Sequence, residues 1–242
     1  MSGHSKWNNI KRKKEKTDAQ KGKIFTKIGK EMAVAIKAGG PNPDNNSKLR
    51  DLIAKAKANN VPNDNIERCI KKFSTDNSID YEEITYEGYG PNGVAVIVET
   101  TTDNRNRTAG AVRSYFSKFH GNLGQTGSVS FMFEEKGLIT IVDEDDEIDE
   151  DSLMEAALEA GASDFEGDEG CYEIYTEKDD LSAVRDALVA AGYKLDSADR
   201  AMVPSSYVKL TDEEDIKMME LLLERLEDDD DVLNVFHNWE EE

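Results

Sequence analysis

Two stretches of this 242-residue chain have the spacing of known chemical sites. Gly88-Tyr89-Gly90-Pro91-Asn92-Gly93 matches GxGxxG letter for letter. A dinucleotide site needs that turn between a strand and a helix whose N-terminus meets the pyrophosphate. Here strand-like sequence stands on both sides ("EEITYEGYG" and "VAVIVETTT"), so the glycines read as a hairpin turn. A kinase glycine loop also sits in a hairpin, but no VAIK, HRD or DFG stretch follows. The run "DEDDEIDED" (143–151) has the density of a calcium loop. Counted from Asp143, however, Ile148 takes the glycine position and Met154 the bidentate glutamate position. His4, His120, His237, Cys69 and Cys171 are too scattered for a zinc signature. There is no GxSxG and no P-loop, and acids are too abundant to nominate an acid/base pair. The sequence therefore predicts no enzyme, no cofactor and no metal.

The cations are distributed differently. Residues 1–73 carry a net charge of +11 and residues 74–242 a net charge of −32. Such asymmetry predicts a nucleic-acid arm joined to an acidic body, with docking of the basic end on that body as the plainer alternative. Lys6, Lys11, Arg12, Lys13, Lys14 and Lys16 surround Trp7. They offer cations for phosphates and one ring for stacking on an unpaired base. At about 100° per residue, Phe25, Ile28, Met32 and Ile36 share one helix face, and Lys23, Lys27, Lys30 and Lys37 the opposite one. That lysine row is spaced to track a phosphate backbone. If "NNVP" is the turn of a helix-turn-helix, Asn65, Arg68 and Lys72 become the candidate base readers. Arg105, Arg107 and Arg113 at the start of "RTAGAVRSYFSKF" form a second candidate anion site, where helix dipole and arginines act together.

The elements that must position these residues fall into three textures. Up to residue 76, a basic tail precedes three helices. Thr17-Asp18-Ala19-Gln20 has capping-box spacing for the first, and Gly39-Gly40-Pro41 stops it. Leu49, Leu52, Ile53 and Ala56 line the second helix; Ile66, Cys69, Ile70 and Phe73 line the third, making Cys69 a packed hydrophobe. The next texture covers 77–136 plus 204–242. Its two β-rich runs precede a helix with Val112, Tyr115, Phe116 and Phe119 on one face, and "SVSFMFEE" follows as a strand. "SYVKL", a helix around Ile216, Met219, Leu223 and Leu226, and "VLNVFHN" read as a closing β-α-β unit. Between these halves, 137–203 holds "LITIV", a helix at about 151–160, "CYEIYTE", a helix at about 181–191 and "RAMVP". "AALEAG" and "LVAAG" match at an offset of 31 residues, as the two halves of a ferredoxin-like unit would.

Several blocks then point to one family. "MSGHSKWNNIK", "KGKIFTKIGKEM", "AGGPNPDNNSKLR", "KAKANNVPNDNIERCIKK", "YEGYGPNGVAVIVE", "TDNRNRT", "GNLGQTGSVSFMF" and "LEDDDDVLNVFHN" resemble the YebC/PmpR family over essentially the whole chain. Its mitochondrial member is the translational activator of cytochrome oxidase. The resemblance implies an α+β fold: an N-terminal helical domain plus two ferredoxin-like domains, one inserted in the other. It implies a DNA-binding regulator of transcription, or else a translation factor that contacts ribosomal RNA and assists difficult, for example proline-rich, nascent chains. No motif-defined catalytic residues come with it. Cys69 and Phe73 depart from the family's small residues, both on the packed face.

The remaining expectations are physical. No apolar run approaches the ~20 residues of a membrane helix, and no apolar segment follows the basic start as a secretory signal requires. Two widely separated cysteines suit a reducing cytoplasm. No dimerisation zipper is evident, so a monomer is expected, with nucleic acid or the ribosome as partner.

Overall fold

The computed structural model describes residues 18–75, 80–143, 147–168 and 170–240. The chain divides into two compact units: one runs from the first helix to Met132 and resumes from Ser206 to Glu240; the other is Phe133–Ser205. The fold is α+β with an N-terminal helical region, as the sequence reading requires.

In the first unit, α1 (Asp18–Gly39), α2 (Ser47–Ala58) and α3 (Asn63–Thr75) close around Ile28, Met32, Ile36, Leu49, Leu52, Ala56, Ile66 and Cys69. Asn46 caps α2 by accepting from the Leu49 amide at 3.1 Å, and donates to the Ala35 and Gly40 carbonyls at 2.8 Å. One buried amide thus ends α1 and starts α2. Phe73 meets Tyr81 edge-on, ring centroids 6.3 Å apart, which ties the end of α3 to the strands that follow.

The same unit contains β1 (Glu82–Tyr89), β2 (Ala95–Thr102), α4 (Arg105–Lys118), β3 (Asn122–Leu123), α7 (Glu213–Asp228) and β9 (Val232–His237). The sheet order is β3-β1-β2-β9, antiparallel throughout. Pro91–Gly93 form a 3-10 turn between β1 and β2, with Asn92 at φ 50° and Gly93 at φ 81°. The GxGxxG stretch is therefore hairpin chemistry. Helices α4 and α7 pack Val112, Phe116, Met219, Leu222 and Leu226 against Val96 and Val98.

The second unit is β4 (Phe133–Val142), α5 (Glu150–Ala160), β5 (Asp164–Asp168), β6 (Cys171–Glu177), α6 (Leu181–Ala190) and β7 (Ser197–Pro204). Its antiparallel order β5-β6-β4-β7 is the ferredoxin-like arrangement. Both helices end on left-handed glycines, Gly161 (φ 106°) and Gly192 (φ 97°), the physical content of the 31-residue repeat.

Two element readings need correction. "SVSFMFEE" and "LITIV" are not separate strands: Ser130–Met132 is a 3-10 turn, and one strand runs from Phe133 through Val142. Gly137 lies within it because a Cβ there would collide with Thr176 and Leu181. "SYVKL" contributes only β8 (Val208–Lys209), which pairs in parallel with β10 (Trp239–Glu240) in a two-stranded sheet of its own.

Candidate nucleic-acid interface

The lysine row of α1 has a partner two hundred residues away. Lys23 Nζ lies 2.5 Å from the Asp228 carboxylate, Lys27 Nζ donates to the Glu227 carbonyl at 2.7 Å, and Lys30 Nζ reaches both the Asp230 carbonyl and the Asp231 carboxylate at 2.7 Å. Lys37 pairs with Asp80. The receiving carbonyls belong to the last turn of α7 and the bend beyond it. Cations belong there, since they meet both the negative end of the helix dipole and the unpaired carbonyls.

Asp231 is the centre of this junction. Its side chain is 10% exposed and accepts from Lys30 at 2.7 Å, Arg107 Nη2 at 2.7 Å, Thr108 Oγ1 at 2.8 Å and Thr102 Oγ1 at 3.3 Å. The Thr101 amide donates to its backbone carbonyl at 2.8 Å. Burial pushes this carboxyl up, but the donors from Lys30, Arg107 and Thr108 outweigh it and hold the group down at about 2. The anion at the start of α4 is thus the protein's own carboxylate. Arg107 also pairs with Asp103 at 2.8 Å, and Arg105 with Glu82 at 3.3 Å; Arg113 is exposed.

The candidate readers on α3 are directed largely to one another. Arg68 donates to the Asp64 carbonyl at 3.1 Å and to the Asn65 amide oxygen at 2.5 Å, and Lys72 sits 5.3 Å from the Phe73 ring centroid. Burial raises the Cys69 thiol while Lys72 lowers it, with a net rise, as befits a packed residue. Arg50, Lys57 and Lys71 are exposed on α2 and α3. Arg50 and Lys57, seven residues apart, share a face of α2. Lys6, Trp7, Lys11, Arg12, Lys13, Lys14 and Lys16 lie outside the described residues.

A feature with no motif behind it is the seat of Glu87. This side chain on β1 is buried and accepts from the amides of Gly127, Val129 and Ser130, each at 2.8 Å. Burial raises its carboxyl, the three amides lower it, and the net displacement is downward. The loop of "GNLGQTGSVSF" is thereby fixed, with Phe131 75% exposed at its end. Its only signal in the sequence is a glutamate set between Tyr86 and Gly88 in a run of β-formers.

Two of the acids of 143–151, Asp143 and Asp149, serve as local caps. Asp143 accepts from the Ile148 amide at 2.6 Å, and Asp149 caps α5 through the Ser152 amide at 3.1 Å. Among the described residues, no three His, Cys, Asp or Glu side chains gather in a metal-holding arrangement. No described helix is long and apolar enough to cross a membrane.

Comparison with known proteins then places the chain. The profile of the TACO1/YebC protein N-terminal domain matches residues 5–76, and that of the TACO1/YebC second and third domain matches 81–239. The chain belongs to the TACO1/YebC family. A relative from Ruminiclostridium cellulolyticum is 59% identical over 100% of this chain and 98% of its own length. One from Acetivibrio thermocellus is 58% identical over 99% of each. Both are named "Probable transcriptional regulatory protein". The crystal structure of a conserved hypothetical protein from Aquifex aeolicus superposes with a TM-score of 0.85 at 45% identity, covering 93% of this chain and 92% of that one.

Proposed function

We propose that this TACO1/YebC protein is a non-enzymatic, nucleic-acid-binding regulator of gene expression that acts in the cytoplasm as a monomer, by binding DNA to control transcription. The observation that carries the reading is the charge partition: +11 in residues 1–73 against −32 in the remainder. A polyanion meets one end of such a chain, while the acidic body limits indiscriminate coating of nucleic acid. The names of its relatives agree with this. Because Lys23, Lys27 and Lys30 hold the bend at 227–231, contact falls first to Lys6, Lys11, Arg12, Lys13, Lys14 and Lys16 and to the exposed Arg50, Lys57 and Lys71. The test is binding of duplex DNA by the full chain against the same chain with those tail cations changed to Gln. Affinity at moderate salt should fall steeply, and equal affinity would refute the reading.

A second reading, binding of ribosomal RNA during translation, is favoured by the Arg68–Asn65 contact. Groups that would read base edges from α3 are turned on each other, which weakens a major-groove docking of that helix. A lysine-rich tail with one indole suits unpaired, irregular RNA at least as well. Competition between a duplex and a ribosomal RNA fragment separates the two.

A further inference from the structure

The loop that Glu87 anchors differs from the rest of the chain in its chemistry. From Phe119 to Phe133 there is no Asp, Glu, Lys or Arg, in a chain of which 33% is charged. The backbone of this stretch is nevertheless tightly held. Besides the three amides on the Glu87 carboxylate, the Gly124 amide donates to the Glu87 carbonyl at 2.8 Å. Tyr89 Oη donates to the Ser128 carbonyl at 2.9 Å. The Ser128 amide closes a turn on the Gln125 carbonyl at 3.1 Å, with Gly127 at φ 87°, a conformation that favours glycine. Val129 is fully buried, which seats the middle of the loop.

What this fixed loop presents outward is one ring. Among the described residues Phe131 is the most exposed of the large hydrophobic side chains. A ring left mostly in water contributes little to folding, whereas holding the backbone beside it costs conformational entropy. The exposed residues of the same loop, Gly124 to Gly127, are small or polar. A protein partner needs roughly 800 Å² on each side, and one aromatic side chain supplies at most about 150–250 Å². That area suits a single planar base, which stacks on an aromatic face whatever its identity. Charge points the same way. Residues 74–242 carry a net charge of −32, which repels phosphate, and a stretch without acids is where a polyanion can come close.

We infer that Phe131 is a stacking platform for an unpaired nucleobase, on a loop braced by Glu87, with Gln125 and Thr126 of that loop offering hydrogen-bonding groups. The inference rests on the RNA-binding reading above and gives it a contact whose strength does not come from charge.

The test uses the full chain and its Phe131→Ala, Phe131→Leu and Phe131→Trp variants. Each is titrated with a short single-stranded oligoribonucleotide, and with the duplex formed from it, over a range of salt. Phe131→Ala should bind the single strand about tenfold to a hundredfold more weakly. It should keep the native slope of log K against log[salt], because no phosphate contact is lost. Phe131→Trp should bind at least as well as the native chain, and Phe131→Leu no better than Phe131→Ala. Duplex affinity and melting temperature should be the same in all four proteins, since the ring is exposed. Equal single-strand affinity of Phe131→Ala and the native chain overturns the stacking and leaves the RNA-binding reading standing. Absence of single-strand binding by the native chain overturns both. Recovery by Phe131→Leu as full as by Phe131→Trp means an apolar contact without stacking, and overturns the inference. So does a native dimer that Phe131→Ala converts to a monomer in sedimentation, which assigns the ring to a second copy of the chain.

Discussion

Lys30 and Asp231 are 201 residues apart in sequence and 2.7 Å apart in the fold, with side chains only 12% and 10% exposed. Their pairing fastens the helical region to the end of α7 and the start of β9. Removing one member of such a pair leaves the other charge buried, a loss of about 3 kcal/mol or more. Asp231→Ala should therefore lower stability by about 3 kcal/mol in urea titration, since Lys30, Arg107 and Thr108 are all left without this acceptor. Lys23→Ala, at the much more exposed Lys23–Asp228 pair, should leave the curve nearly in place. Equal effects from the two would show that burial does not distinguish them.

The same residue predicts an acid limb. The folded Asp231 carboxyl sits at about 2, against about 3.9 for an unfolded aspartate. Because the folded value is depressed, its contribution is complete above roughly pH 5. It is lost as pH falls through the interval down to about 2. Urea midpoints between about pH 5 and about pH 2 should fall more steeply for the native chain than for Asp231→Asn, which has no charge to lose. Parallel curves would place the acid sensitivity elsewhere.

How much of this is legible in the sequence depends on distance along the chain. The stripe of Ile28, Met32 and Ile36 and the opposing lysines follow from helical period alone, and the structure has both. The destination of the lysines is not legible, because a run of four aspartates at 228–231 reads as solvated charge until the fold brings it to α1. Gly137 suggests a break between strands, and the reason it does not break β4 is a neighbour on β6. Strand β5 is hidden because "DFEGD" is mostly acid and glycine, poor strand formers that an edge position tolerates. Glu87 looks like any exposed alternating residue, and its three amide donors come from a loop some forty positions on.

That loop gives a local prediction. Glu87→Gln keeps the shape but replaces one acceptor oxygen by a donor facing backbone amides that also donate. Leaving a buried donor unsatisfied costs about 1–3 kcal/mol. Hydrogen exchange at Gly127, Val129 and Ser130 should accelerate accordingly, while amides in the helical core around Met32 keep their protection. Acceleration spread over the whole chain would mean that Glu87 supports the fold and not the loop.

The last prediction separates cations that hold the protein together from those that meet phosphate. Each neutralised phosphate adds about 0.9 to the slope of log K against log[salt] on duplex DNA. Arg50→Gln, Lys57→Gln and Lys71→Gln together remove exposed charges, so the slope should flatten by about 0.9 for each phosphate that is no longer neutralised. The melting temperature should barely change, since surface charges contribute little to stability. Lys23→Gln, Lys27→Gln and Lys30→Gln together remove three cations that already have protein acceptors. That variant should melt earlier yet keep the native salt slope at temperatures where it remains folded. The two triple variants carry the same change in net charge, so a general electrostatic effect moves both slopes equally, and only assignment by position moves one. A flatter slope for the α1 variant at unchanged stability would mean that the lysine row leaves the 227–231 bend when nucleic acid binds, and would return those residues to the interface.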